Sequence, residues 1–217
     1  MSRTRSRRPT GLDAPTVAPV FPLILLETMR DMDRPDEVLE GENLTASMPR
    51  RLGLSDVIYL QIHRFREETR KKRPQTPAAV ADLIRLVIRR PDAEEIFEEA
   101  GRRVARRAWD DRFPAARGGL RLMPAAMRMR AAARGARRLL EELAGSAELE
   151  VQSRPFSARL QGSLTAHADP GGAACAFYTG VLAELMTRYG GRPVSVQHPH
   201  CEARGADGCE WTARLMR

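Results

Sequence analysis

VSVQHPHCEARGADGCEWTARL, residues 194–215, indicates a β-hairpin. Polar and apolar residues alternate on both sides of a link that contains Gly205, Asp207 and Gly208, which suit a tight turn. The residues predicted to face inward are Val194, Val196 and His198 on the first strand and Cys209, Trp211, Ala213 and Leu215 on the second. This arrangement brings His198 and Cys209 close to the turn, where Cys201 also lies.

All three cysteines of the chain lie in or near this hairpin. Cys175 falls in the first turn of a helix predicted over residues 173–189, which two glycines terminate. Thiolate sulfur and imidazole nitrogen are donors that zinc prefers, and four of them complete its tetrahedron. The sequence therefore predicts a structural zinc site formed by Cys175, His198, Cys201 and Cys209. The alternative is three buried structural thiols, because free cysteine is among the most buried residue types.

The chain of 217 residues divides into three parts that we expect to form a single domain. Residues 1–19 are predicted to be a disordered basic tail, because their arginines and turn formers show no apolar period. Residues 20–145 are predicted to be mainly helical. Residues 146–217 form a strand–helix–hairpin part that contains the cysteine and histidine cluster. The predicted fold class is α+β, with helices packed on a small antiparallel sheet.

Capping signals divide the helical part into segments. Helices are expected over residues 21–32, after Ser55, after Thr76-Pro77, after Asp92, and over residues 120–143 with Pro124 near the start. The first strand of the sheet is predicted at residues 156–161, because Phe156, Ala158 and Leu160 alternate with polar residues.

The composition limits the possible partners and locations. The net charge is +8, but the arginines are interleaved with glutamates and aromatic residues make up only 5%, so no base-stacking surface and no nucleic-acid partner is expected. The longest apolar run, residues 20–26, has seven residues and contains a proline, which predicts no membrane span. No signal-peptide pattern follows the basic start, so a cytoplasmic location with reduced cysteines is expected.

Two motifs resemble a known family. The helix FYTGVLAELMTRYGG, the V-x-V strand and the segment CEARGADGCEW together resemble the vinyl-4-reductase domain family. That family includes bacteriochlorophyll 4-vinyl reductase-like proteins and the effector-sensing domains of aromatic-responsive transcription activators. The resemblance implies a fold similar to that of TRAPP vesicle-tethering subunits, often dimeric. In the activator branch three cysteines and a glutamate hold zinc, and His198 stands at the position that matches the glutamate.

The resemblance to the bacteriochlorophyll branch extends to EEIFEEAGRRVARRAWDDRFP and LRLMPAAMRMRAAARGARRLL. It implies a protein of bacteriochlorophyll biosynthesis that binds a tetrapyrrole intermediate, either as a nominal 4-vinyl reductase or as a carrier that serves other pigment-synthesis enzymes. The alternative is a sensor or regulatory domain for an apolar small molecule that acts through a partner. A homodimer is expected through the helical face. That branch usually carries a histidine- and aromatic-rich segment before the first strand, whereas this chain reads RRLLEELAGSAELEV.

Whether the protein is an enzyme stays open at this stage. No GxGxxG motif follows a strand, and the usual iron–sulfur cluster needs four cysteines where this chain has three. His63 is expected on a helix and His167 in a solvated loop.

A ligand pocket is predicted between the middle helices and the sheet. The segment 123–133 is rich in methionine and alanine, which leave adaptable space for an apolar ligand. Arg121 and Arg128 are candidates to pair with a tetrapyrrole propionate. The alternative is that each candidate lining residue simply fills the core. These lining residues are Met123, Met127, Phe156, Phe177, Tyr178 and Trp211.

Overall fold

Helices packed on a four-stranded antiparallel sheet make up the part of the chain that the computed structural model describes, residues 16–33, 56–112 and 123–215. This arrangement confirms the predicted α+β class. The seven helices of these ranges are α1 (Val20–Met32), α2 (Asp56–Arg70), α3 (Pro77–Val87), α4 (Ala93–Arg112), α5 (Ala125–Leu143), α6 (Leu164–Ala168) and α7 (Ala176–Gly190). The strands are β1 (Glu148–Ser153), β2 (Phe156–Gln161), β3 (Val194–His200) and β4 (Cys209–Leu215).

Two helix starts follow directly from local chemistry. The side chain of Thr76 accepts a hydrogen bond from the backbone N–H of Ala79, and Pro77 occupies the first position of α3, as predicted. Helix α5 begins at Ala125, because Pro124 precedes it in an extended conformation, with φ −53° and ψ 145°. The part of the expected helix at residues 120–122, like Ser55, lies outside the described residues.

The segment before α1 is packed rather than tail-like. Residues 1–15 of the predicted tail lie outside the described residues, but Val17 is fully buried. The backbones of Val17 and Gln75 exchange two hydrogen bonds of 2.9 Å, and the N–H of Ala18 donates to the carbonyl of Glu142. The expected tail boundary at residue 19 is therefore wrong, since Thr16–Pro19 joins the helical part.

The core lies between the helices and one face of the sheet, whose strand order is β1-β2-β4-β3. Leu160 pairs with Leu149 on one side and with Cys209 on the other, so these residues share the buried face. The predicted β2, β3 and β4 are confirmed, whereas β1 was not predicted. The expected tight turn between β3 and β4 is instead a link over residues 201–208, with a 3-10 turn at Glu202–Arg204 and Gly205 at φ 92°.

Helix α7 connects the two parts of the fold. It packs against α4 and α5. The ring of Phe177 stacks on that of Phe21 in α1, with centroids 4.0 Å apart. None of the helices in the described ranges is long and apolar enough to cross a membrane.

Candidate metal centre and ligand groove

The four predicted donors meet at one point. Cys175 ends the 3-10 turn before α7, His198 lies on β3, Cys201 follows that strand, and Cys209 begins β4. Their donor atoms all lie within 4.8 Å of one another. The three cysteines are buried and unpaired in disulfides. The cluster could therefore hold a metal ion, as the sequence predicted.

The surroundings of the cluster fit a metal. Nε2 of His198 is buried and has no hydrogen-bond partner among the residues that the structure describes, and a metal bond would satisfy such an atom. The ring of His198 is held flat against Trp211, with centroids 4.5 Å apart and planes within 6°. Gly172 leaves room for the cysteines, because a Cβ there would lie 2.9 Å from Sγ of Cys201.

The thiols of Cys175 and Cys209 are coupled to each other. Their sulfur atoms are 3.7 Å apart. The hydrogen bond between them lowers the pKa of Cys209 and raises the pKa of Cys175, and burial adds to the rise at Cys175. The nearby His198 ring and the amide of Glu202 lower the pKa of Cys209 further. Such a set is ready to ionise towards a cation, since the thiolate is the form that binds metal.

Polar groups of the flanking loops hold the cluster in place. The N–H of Glu202 donates to Sγ of Cys209 at 3.4 Å, and its carboxylate accepts from the N–H groups of Gly162 and Ser163. The hydroxyl of Thr165 lies 3.5 Å from Sγ of Cys175.

The carboxylate of Asp169 orders the turn that leads to Cys175. It accepts from the N–H groups of Gly171 and Ala174 at 2.9 and 2.7 Å. Sequence reasoning missed both Asp169 and Glu202, although each stands beside a motif that it singled out. The prediction of a loop at His167 was wrong, because Ser163 accepts a hydrogen bond from the N–H of Ala166 and caps α6 across this position.

Four of the six predicted ligand-binding residues lie in the closed core. Their exposed fractions are 4% or less, and they are Phe156, Phe177, Tyr178 and Trp211. The rings of Tyr178 and Trp211 meet edge to face with centroids 5.6 Å apart, and Nε1 of Trp211 donates to the hydroxyl of Thr179 at 3.0 Å. These aromatic residues support the metal centre.

The other two predicted residues line an open groove. Met123 and Met127 are 39% and 50% exposed and border a cavity of about 610 Å³ between α5 and β1. The structure therefore separates the six residues into a core set and a groove set. Arg121 lies outside the described residues, and Arg128 does not line this groove. The full lining is Met123, Met127, Arg130, Ala131, Ala133, Arg134, Arg137, Val151 and Ser153.

The fold and the cluster define a class: a small α+β domain in which a helix and a hairpin share a four-donor centre able to hold a metal ion. Residues 159–215 match the model of the vinyl-4-reductase domain family, so this part of the chain is a vinyl-4-reductase domain. The match runs from β2 to the end of β4 and includes all four donors, which confirms the family that the sequence motifs indicated. A search of curated proteins found no match. The groove residues precede the matched segment.

Proposed function

We propose that the protein binds a tetrapyrrole intermediate of bacteriochlorophyll biosynthesis in the groove between α5 and β1. The observation that carries the proposal is this groove, placed directly before a vinyl-4-reductase domain, a type of domain associated with small-molecule binding or vinyl reduction. The role is that of a nominal 4-vinyl reductase or of a carrier that presents the intermediate to another pigment-synthesis enzyme in the cytoplasm.

The size and lining of the groove support an apolar ligand. Its volume of about 610 Å³ falls within the range of small-molecule sites. Met127 offers a flexible thioether on one side, and Val151 offers an apolar face on the β1 side. Methionine adapts to flat or irregular apolar surfaces because it is unbranched and polarizable.

We propose that the metal is zinc and that its role is structural. Three thiolates and an imidazole match the donor preference of zinc and fill its four positions. A ligand in the groove then has no open metal position to use, so the metal stabilises the domain and the groove binds.

A titration with divinyl protochlorophyllide tests the binding function. We expect a shifted pigment absorption band and quenching of the fluorescence of Trp109 and Trp211 at micromolar pigment. Met127→Glu should abolish both signals, because it places a charge in the apolar lining. Leu86→Glu is the matched control, since Leu86 is also partly exposed, at 43%, but lies on α3 away from the groove. Wild-type protein that is folded and shows neither signal overturns the proposal.

The titration also separates the second candidate, a sensor domain for an apolar small molecule. This candidate is favoured by the four-donor cluster, whose cysteine positions resemble those of the zinc-binding activator branch. A protein that binds simple aromatic compounds in the groove, but no pigment, is a sensor domain that acts through a partner.

We further propose that two copies associate through their helical faces. Val57 and Leu60 stand three positions apart at the start of α2, with 58% and 68% of their surface exposed. Apolar side chains in this arrangement form one exposed stripe, which a second copy would cover.

A further inference from the structure

We propose that the ligand of this groove carries a carboxylate, and that Arg130 and Arg134 bind it. The inference rests on the proposed function to the extent that it takes the groove as the ligand site. It adds the chemical class of the ligand: an apolar ring system or chain with at least one carboxylate.

The charge of the groove is one-sided. Its lining contains Arg130, Arg134 and Arg137 and no acidic residue. The second large groove, bordered by α2, α4 and α5, differs in this respect. It combines Lys72 and Arg107 with three acidic residues, Asp111, Glu141 and Glu142, so its charges are balanced. Only the groove between α5 and β1, of these two, has a field that favours an anion.

Two of the three guanidinium groups are available. Arg137 donates to the carboxylate of Glu141 at 2.9 Å. Within the described ranges, neither Arg130 nor Arg134 has an ion-pair or hydrogen-bond partner, although arginines of α4 such as Arg102 and Arg103 are paired. Arg130 and Arg134 are therefore the cations that a ligand can use.

Their spacing suits one shared anion. Residues four positions apart lie on the same side of a helix, and like charges so placed repel each other. A carboxylate between the two guanidinium groups relieves this repulsion and accepts their forked N–H groups. On the β1 side, Ser153 lines the same groove and offers a hydroxyl donor.

The apolar and cationic parts of the lining follow each other along α5. Met123 and Met127 stand before Arg130 and Arg134, and all four border the groove. A ligand that reaches along the helix therefore contacts the thioethers with its apolar body and the guanidinium groups with its acid. A neutral apolar molecule would leave both cations without a partner.

The test compares protochlorophyllide, which carries a free carboxylate, with its methyl ester, which keeps the ring system and loses the charge. Dissociation constants are measured for the wild type, for Arg130→Gln/Arg134→Gln and for Arg138→Gln. Arg138 is an exposed arginine of the same helix that does not line the groove, so it controls for net charge. Circular dichroism and thermal unfolding confirm that each variant is folded.

We expect the wild type and Arg138→Gln to bind the acid at least about tenfold more tightly than the ester, as a forked charged hydrogen bond allows. The double variant should bind both pigments as weakly as the wild type binds the ester. Added salt should weaken binding of the acid and leave binding of the ester unchanged. Equal affinity of the wild type for acid and ester overturns the carboxylate inference and leaves pigment binding intact. Binding of neither pigment by the folded wild type overturns the proposed function and this inference with it.

Discussion

Gly101 of α4 and Gly180 of α7 lie where the backbones of their two helices touch. A Cβ added at Gly101 would collide with the carbonyl oxygen of Phe177, and one added at Gly180 would collide with the carbonyl oxygen of Glu98. Both neighbours are helix backbone, which cannot turn aside as a side chain can. The contact fixes α7, which begins at the metal cluster, against the helical part of the fold.

Replacing Gly101 by alanine should therefore destabilise the protein. Alanine improves helix propensity by about 1 kcal/mol, but overpacking against a backbone carbonyl costs about 1–3 kcal/mol or more. We expect a net loss in the free energy of unfolding, measured by denaturant titration. Gly135→Ala is the comparison, because a Cβ there meets the side chain of Tyr189 rather than backbone. An alanine at Gly101 that is as stable as the wild type would show that the helices do not approach so closely.

The metal centre predicts a difference between two neighbouring histidines. His198→Ala removes a donor and should greatly reduce zinc content, whereas His200→Ala should retain about one zinc per chain. His200 lies on the same strand but is exposed, and its Nδ1 pairs with Glu210 at 3.1 Å. Metal analysis after purification without chelator measures the difference. Equal zinc content in the two variants would exclude His198 as a donor.

Removing the metal should destabilise the wild type. Four buried donors lose their common partner on chelation, so the melting temperature should fall with chelator and recover with zinc. Cys201→Ser, which lacks a sulfur donor, should melt lower than the wild type and respond little to chelator. A wild type whose melting temperature is unchanged by complete metal removal would favour three buried structural thiols instead.

The carboxylate of Glu202 should matter for metal affinity although it is not a donor to the cluster. It anchors the Cys201 loop to the N–H groups of Gly162 and Ser163 at 3.1 to 3.3 Å. Glu202→Gln weakens these charged hydrogen bonds, and we expect the zinc dissociation constant to rise by about tenfold. Competition with a chromophoric chelator measures it. Glu150→Gln, an exposed carboxylate on β1, should leave the constant unchanged. The positioning role is excluded if the two variants bind zinc alike.

Association of two copies should depend on α2. Leu60→Glu places a charge in the exposed apolar stripe and should convert a dimer into monomers, measured by light scattering at micromolar protein. Leu86→Glu on α3 changes charge equally and should remain dimeric. A wild type that is monomeric throughout this concentration range contradicts the dimer.

The parts of the site that depend on residue type could be predicted from the sequence. With three cysteines in the chain and strong alternation at residues 194–198 and 209–215, few arrangements of the donors were possible. The polar residues behind the donors depend on contacts across the chain. Glu202 bonds to residues 39 and 40 positions away, and no local pattern indicates such a contact.

β1 was missed for a different reason. Leu149 and Val151 do alternate with polar residues, but they follow helix α5 directly, within a segment that was compared with a relative's aromatic-rich sequence instead of being tested for period two. Because β1 was missing, the predicted ligand pocket had no outer wall. The core aromatics of β2, α7 and β4 then stood in for residues that the real groove takes from β1.

The positions of the donors also set an order of events during synthesis. Cys175 and Cys209 are 34 positions apart, and every helix from α1 to α5 comes before both. Because a ribosome releases the chain from its amino end, the helical part emerges and can begin to fold while the cluster still lacks its last sulfur. A metal bound by all four donors is thus acquired only after translation has passed β4, and metal content distinguishes chains translated that far from shorter ones.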